Sequence, residues 1–261
     1  MSIRKKILAI SIGPVLVLGV ITLLFMLTMV KSSLMDEVQD ALKGTAAATL
    51  AAYDQNTGDY LESTNGDIWK GSYNISKSES LVDRIKENTG MDVTFFYGNK
   101  RIMTSALDKK GNRILGSEAG ERVVNQVIKG KKPFFSTNVS LDGTRNYGYF
   151  IPVYQNGTTD QVIGMVFVGT NKAQKDAIVN KILGSIMMAL LVVMFLCIVT
   201  AMRMAASISK NIKNSVAVVG KLADGDLNVW VDEKLLKRKD EIGDLSRGTM
   251  TLRDAMKLSL I

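Results

Sequence analysis

Apolar residues in this chain gather into two long uncharged runs, and elsewhere they recur with the periods of ordinary helices and strands. Residues 7–30 (ILAISIGPVLVLGVITLLFMLTMV) and 182–202 (ILGSIMMALLVVMFLCIVTAM) carry no charged side chain. A helix rises about 1.5 Å per residue, so about 20 residues cross a hydrocarbon layer about 30 Å thick. Both runs therefore qualify as membrane helices. A cleaved signal peptide competes for the first run, but its apolar region would span only about 7–15 residues, and no small-x-small site precedes Lys31. A buried core helix competes for the second. Pro14 falls in the first half of the first run, where a kink is expected.

The pattern between the runs is that of a folded domain. Leu34, Val38, Ala41/Leu42, Thr45 and Ala48/Thr49 keep helical spacing, so the first helix should continue to about Tyr53, with an Ala-rich face suited to another helix. Residues 54–78, rich in Gly, Asn, Asp and Ser, read as loop. A short amphipathic helix is expected over 79–87, with Leu81, Val82 and Ile85 inward and Gly90 stopping it. Strands should follow on both sides of Gly98-Asn99, then a helix over 118–129 with Val123, Val124, Val127 and Ile128 inward. A second hairpin turns at Asp142-Gly143, and residues 155–161 lead into a last strand, VIGMVFVGT. Five strands with one helix between the second and third predict an antiparallel α+β sheet.

Charge orients the chain. Arg4, Lys5 and Lys6 precede the first run; Arg203, Lys210 and Lys213 follow the second. Positive flanks stay on the cytoplasmic side, so both termini should be cytoplasmic and residues 31–181 external. The net charge of +8 is spread thinly: 19 basic against 17 acidic side chains over 31–181, and 11 against 8 over 203–257. No part is basic enough to suggest nucleic acid. The chain has no histidine and one cysteine, Cys197, which excludes histidine-based triads, His-bearing zinc sites, a phospho-accepting histidine and an intrachain disulfide. No metal site, cofactor or catalytic constellation is visible, so the chain is not read as an enzyme.

The stretches LVDRIKENTGMDVTFFYGNKRIMTS (81–105), KKPFFSTNVSLDGTRNYGYFIPVY (131–154) and VIGMVFVGT (162–170) resemble the single Cache domains, PAS-like extracellular sensors of bacterial receptors. The resemblance covers the outer segment and implies a pocket on one sheet face, capped by the loop before the short helix and holding a small molecule. Arg101 could offer a forked donor to a small carboxylate, against the alternative of a solvated hairpin arginine. Thr104 stands three residues on, so it shares that face only if a bulge intervenes. Tyr147 and Tyr149 share a face with Ile151, and their hydroxyls suit an apolar wall with polar tips, although plain sheet packing is the alternative. Trp69 and Tyr73 could close the pocket, or simply cover a small core. Arg113 and Arg145 are expected to face solvent.

Beyond the second run, Ile208, Ile212, Ser215, Val219 and Leu222 recur at spacings of 4, 3, 4 and 3, and Ile242, Leu245, Thr249, Leu252 and Met256 at 3, 4, 3 and 4. Two short seams need partners, which two copies would supply as a four-helix bundle. Residues 203–257 resemble a HAMP domain, the linker of bacterial transmembrane receptors. The residues carrying that likeness are Gly225 and Leu227 in an extended connector, and Asp240, Glu241 and Gly243 opening the next helix. Asn211 stands where the family usually has proline, which leaves the entry geometry of the first helix open. The whole then resembles the front of a methyl-accepting chemotaxis receptor. Its expected parts are a cytoplasmic N-terminus (1–6), transmembrane helices (7–30 and 182–202), an external single Cache domain (31–181), a HAMP domain (203–257) and the start of a missing output region (258–261). The expected fold is an α+β membrane protein with a five-stranded PAS-like sheet and, in a homodimer, a parallel four-helix HAMP bundle. The expected partners are a small-molecule ligand, membrane lipid and a second copy, with a cytoplasmic kinase or adaptor reached only through the missing signalling region. The alternative is the sensor half of a histidine kinase or diguanylate cyclase. A structural or adhesive membrane role is a third reading.

Overall fold

The computed structural model describes residues 3–258; the expected start of an output region (258–261) lies, apart from its first residue, outside them. The chain forms two compact units, one spanning Met26–Gly184 and the other combining the first helix with everything from Ser185 onward. Helix α1 (Ile3–Phe25) continues through Pro14, passes through a π-helical stretch (Met26–Val30) and leads into α2 (Lys31–Asp54). Helix α5 (Lys172–Ala223) is likewise unbroken. Both helical stretches are long and apolar enough to cross a membrane, with mean hydropathy 2.6 and 2.9.

The Met26–Gly184 unit, called the outer unit after its expected side of the membrane, is built on an antiparallel sheet of β4 (Asp92–Tyr97), β5 (Lys100–Thr104), β6 (Phe134–Leu141), β7 (Thr144–Tyr154) and β8 (Val162–Asn171), in the order β5-β4-β8-β7-β6. Both faces of this sheet are covered. That is why β4 and β8 read as nearly continuous apolar runs rather than clean alternation. On one face lie Leu42, Ala46 and Tyr53 of α2, packed with Val93, Phe95, Tyr147, Tyr149, Val153, Val166 and Val168. The face of α2 that meets the sheet carries Leu42, Ala46, Thr49 and Tyr53, whereas Ala41, Ala47, Ala48 and Ala51 are exposed. Helix α3 (Glu79–Thr89) adds Val82 to this core and ends at Gly90, whose φ of 70° suits a left-handed cap. The opposite face carries Phe96, Phe150, Met165 and Phe167 under Val127 of α4, which runs from Glu121 to Lys129 and turns π-helical from Val124. Burying one such phenylalanine contributes about 1.5–3 kcal/mol.

Residues 54–78 differ from their expected loop. They hold a small antiparallel sheet of β1 (Tyr60–Glu62), β2 (Ile68–Lys70) and β3 (Tyr73–Asn74). Tyr60 and Ile68 of this sheet are buried in the α2-side core. Strands of two or three residues are too short to impose a readable alternation.

In the other unit, α5 ends on a Schellman motif. The Asp226 N–H bonds the Lys221 carbonyl, the Gly225 N–H bonds the Leu222 carbonyl, and Gly225 takes φ 84°. An extended connector leads to the short α6 (Glu233–Leu236) and then to α7 (Glu241–Leu258).

Candidate functional site: an arginine-bearing aromatic cavity

A cavity of about 500 Å³ opens on the sheet face away from α2. Its floor is Phe96, Phe150 and Phe167; its walls are the start of α4, with Arg122 and Val123, and the polar run from Ser136 to Ser140 of β6. Backbone economy shapes the floor. A Cβ at Gly148 would sit 2.5 Å from the Phe167 ring and one at Gly169 2.4 Å from it, so this register-paired glycine couple makes the space in which the ring lies. A bulge shapes the wall. Ser136 pairs with Gly148 and Val139 with Asn146, so three steps along β6 match two along β7.

Arg101 enters this cavity. It pairs with Phe96 across β4 and β5, with its guanidinium 5.4 Å from that ring's centre. The side chain is deeply buried: the residue is 8 % exposed. Its Nη1 donates to the Ile114 carbonyl at 3.3 Å, while its Nε is buried with no partner. Burial lowers its pKa; Asp92 opposes that shift but is itself paired with Lys86 at 2.8 Å. Arginine stays charged even so, so the cavity holds a cation with a spare donor. The solvated-hairpin reading of Arg101 is thus replaced by a buried one.

The bulge on which Thr104 depended is present: Phe95 pairs with Met103 but Phe96 with Arg101, leaving Ile102 extra. Thr104 therefore falls on the Arg101 face. It does not line the cavity, because its hydroxyl meets Thr94 at 2.7 Å and accepts the Ala106 N–H at 3.1 Å. Tyr147 and Tyr149 lie on the other face, in the α2-side core. The Tyr147 hydroxyl donates to Asp176 at 2.5 Å, and burial first, then this bond, pushes its pKa up to about 12. Tyr73 packs on that same side against Tyr53, ring centres 6.3 Å apart. Trp69 pairs with Leu61 and Asn74 in the small sheet. Of the six expected ligand residues, only Arg101 reaches this cavity. Arg113, expected in solvent, instead holds Asp83 of α3 (Nη1–Oδ1 2.9 Å) and donates to the Thr104 carbonyl at 2.7 Å. Arg145 is exposed as expected.

Sequence reading missed Glu118, Arg122 and the Ser136–Ser140 wall. Arg122 lies 5.4 Å over Phe134, so the cavity's two arginines each rest on a phenylalanine. The signal was faint: the polar run STN interrupts a strand, as a bulge requires. Among the described residues no three Cys, Asp or Glu side chains gather to hold a metal ion.

The HAMP-like residues fall at the end of α5, in the connector and at the start of α7. Asp240 caps α7, accepting the Gly243 N–H at 3.2 Å and the Arg238 Nε–H at 2.9 Å, and Arg238 holds its pKa down at about 2. Glu241 opens α7 and is exposed. A Cβ at Gly243 would lie 2.2 Å from the Arg238 carbonyl oxygen, so this close backbone approach admits no side chain. Leu227 is half-buried, and Val229 and Val231 of the connector are buried.

Comparisons with known proteins bear on the outer unit. No curated protein matches the chain in sequence. Solved structures that match part of the chain include an extracellular ligand binding receptor from Desulfohalobium retbaense (14% identity, TM-score 0.41), covering 57% of this chain and 26% of that one. The Escherichia coli DcuS sensor domain follows at 12% identity and TM-score 0.34, over 58% of this chain and 98% of that one. A chain described as methyl-accepting chemotaxis protein X matches at 15% and 0.31, over 57% and 64%. This chain thus spans about a quarter of the first of these. The family model described as single cache domain 3 matches residues 73–182, the stretch from β3 into the first turns of α5, and two helical stretches able to cross a membrane flank the sheet that it includes.

Proposed function

We propose that the chain is a membrane-anchored, chemoreceptor-type sensor: its Cache domain lies outside the cell, binds a small carboxylate through Arg101, and passes the event along α5 to a HAMP-like bundle inside. Both termini are then cytoplasmic, as the flanking arginines and lysines favour. No enzymatic step is assigned, in keeping with the absence of histidine from the sequence.

One observation carries the ligand assignment: the buried, partnerless Nε of Arg101 beside an aromatic-floored cavity. A buried polar group without a partner costs free energy unless something completes it, and a planar carboxylate matches a guanidinium edge. The test is a thermal-shift screen of the full chain in detergent against small mono- and dicarboxylates and amino acids. A carboxylate that binds should raise the melting temperature by mass action. Calorimetry of Arg101→Ala should then lose about 1.5–3 kcal/mol, roughly 10- to 150-fold in affinity. Unchanged affinity in a folded variant sinks the assignment.

The relay is proposed to work as a parallel homodimer. Within one chain Ser215, Leu222 and Thr249 are buried, but Val219, Leu245 and Leu252 of the same seams remain 43–47 % exposed. A second copy would cover them. In a Cys197→Ser background, cysteine at Ile212 or Leu252 should cross-link between copies in membranes. Cross-linking no better than from exposed Lys213 would remove the dimer from this reading.

A further inference from the structure

The cavity wall and the first turn of the output helix are fastened together. Lys172, the first residue of α5, donates from Nζ to the Thr137 carbonyl at 3.1 Å. Thr137 belongs to the β6 bulge, where pairing with β7 lapses and leaves its backbone available, and it lines the cavity. The same Nζ sits 5.2 Å from the centre of the Tyr147 ring, which stacks with Phe135 at 6.3 Å and 9°. Phe135 also lines the cavity. One helical turn on, Asp176 accepts the Tyr147 hydroxyl. Residues i and i+4 share a helix face, so Lys172 and Asp176 grip the sheet from one side of α5.

We propose that Lys172, Tyr147 and Asp176 form a latch that reads cavity occupancy: whatever fills the cavity reshapes the Ser136–Val139 bulge, shifts the Thr137 carbonyl and changes the hold on the start of α5. None of the three lines the cavity floor, so the latch residues position the helix without touching the ligand. The proposal rests on the sensor reading above, and it explains how that cavity would reach α5. The alternative route, a rigid shift of the whole β7–β8 pair, would not need Lys172.

Occupancy can be imposed without knowing the ligand. In a Cys197→Ser background, Val123→Cys on the opposite wall is treated with benzyl methanethiosulfonate. The thiolate forms a mixed disulfide with the benzylthio group and methanesulfinate leaves, which places a benzyl group in the cavity. Ser140→Cys is a second anchor should the first variant fold poorly. Hydrogen exchange is followed in the full chain in lipid nanodiscs. Tagging should change exchange over residues 172–178 by about fivefold or more, the lower end of ordinary coupling between sites. Lys172→Met and Tyr147→Phe should each abolish most of that response while the cysteine is labelled to the same extent. A response that persists in Lys172→Met, or no response to tagging, overturns the latch. The two readings fail separately. A latch response without any Arg101-dependent carboxylate binding would refute the ligand and keep the latch; Arg101-dependent binding with no response at 172–178 would do the reverse.

Discussion

The two units solve the burial problem differently. The outer unit closes its sheet on both faces with its own chain: α2 and α3 on one side, α4 on the other, with Phe95, Phe167, Val166 and Val168 at 0–1 % exposure. The unit formed by α1 and the C-terminal helices leaves apolar side chains outward. Helices long and apolar enough to cross a membrane account for those of the two apolar runs, but Val219, Leu245 and Leu252 lie beyond them. A domain that completes its own core can hold a fixed cavity, whereas seams left half-covered can be re-paired. The difference suits the proposed division into a sensor that must be shaped and a relay that must shift.

The largest expected effect tests the self-sufficiency of the outer unit. Phe167→Ala removes a ring that fills the space between Gly148, Gly169 and Phe150. It should cost about 3–5 kcal/mol, as deletion of a buried aromatic side chain does. Hydrogen exchange should accelerate across β4, β7 and β8 at any protein concentration, with cross-linking at Leu252 unchanged. Equal acceleration in α7 would show that the units melt as one and would erase the contrast.

That contrast also marks what the sequence could tell. Elements whose two faces have different neighbours were legible: α3, both hairpins, β8 and the inward valines of α4 fell close to their expected places. So did the continuation of the first helix to Asp54. The site was much less legible. Tyrosine hydroxyls in β7 suggested a polar-tipped wall, but period-two alternation cannot say which face carries the cavity. Tyr147 instead satisfies its hydroxyl on Asp176, 29 residues away in sequence. The cavity is made by residues from β4, β5, α4, β6, β7 and β8 converging, and no local pattern encodes such a convergence. Arg101 was visible because one arginine at a hairpin edge needs no partner to be noticed. The Arg101–Thr104 relation hung on a one-residue bulge, which shifts every later side chain to the other face.

A middle-sized effect lies at the join. No proline interrupts α5 between Lys172 and Ala223. Glycine costs about 1 kcal/mol relative to alanine inside a helix, so Ala177→Gly with Ile178→Gly should weaken α5 by roughly 2 kcal/mol locally. Helix shifts in switching proteins are only about 1–2 Å, and a softened helix absorbs them. With a reporter output fused after residue 257, carboxylate binding should persist while the response collapses. A full response in the double-glycine variant would show that a stiff α5 is not what joins the two units.

The smallest expected effect sharpens the relay half. The Asp240 carboxyl is held at about 2, below its ordinary 3.8, first by its hydrogen bond to Arg238 and also by the Gly243 N–H. A depressed pKa means that the ionised form is favoured in the folded state. Its contribution is complete above the unfolded value and fades as pH falls from about 4 towards 2. The pair is exposed to water, so the effect should be slight and screened by salt. With Trp69→Phe leaving Trp230 as the single tryptophan, emission from the connector reports the start of α7. Unfolding followed there should show an acid-side loss of stability between pH 4 and 2 that shrinks at high salt. Asp240→Asn keeps an oxygen for the Gly243 N–H but loses the charge, so it should flatten the pH dependence while retaining most of the cap. Asp240→Ala should flatten it too and lower stability at neutral pH as well. If Asp240→Asn retains the full acid-side loss, another carboxylate governs this end of the relay, and the cap at Asp240 acts through its shape alone.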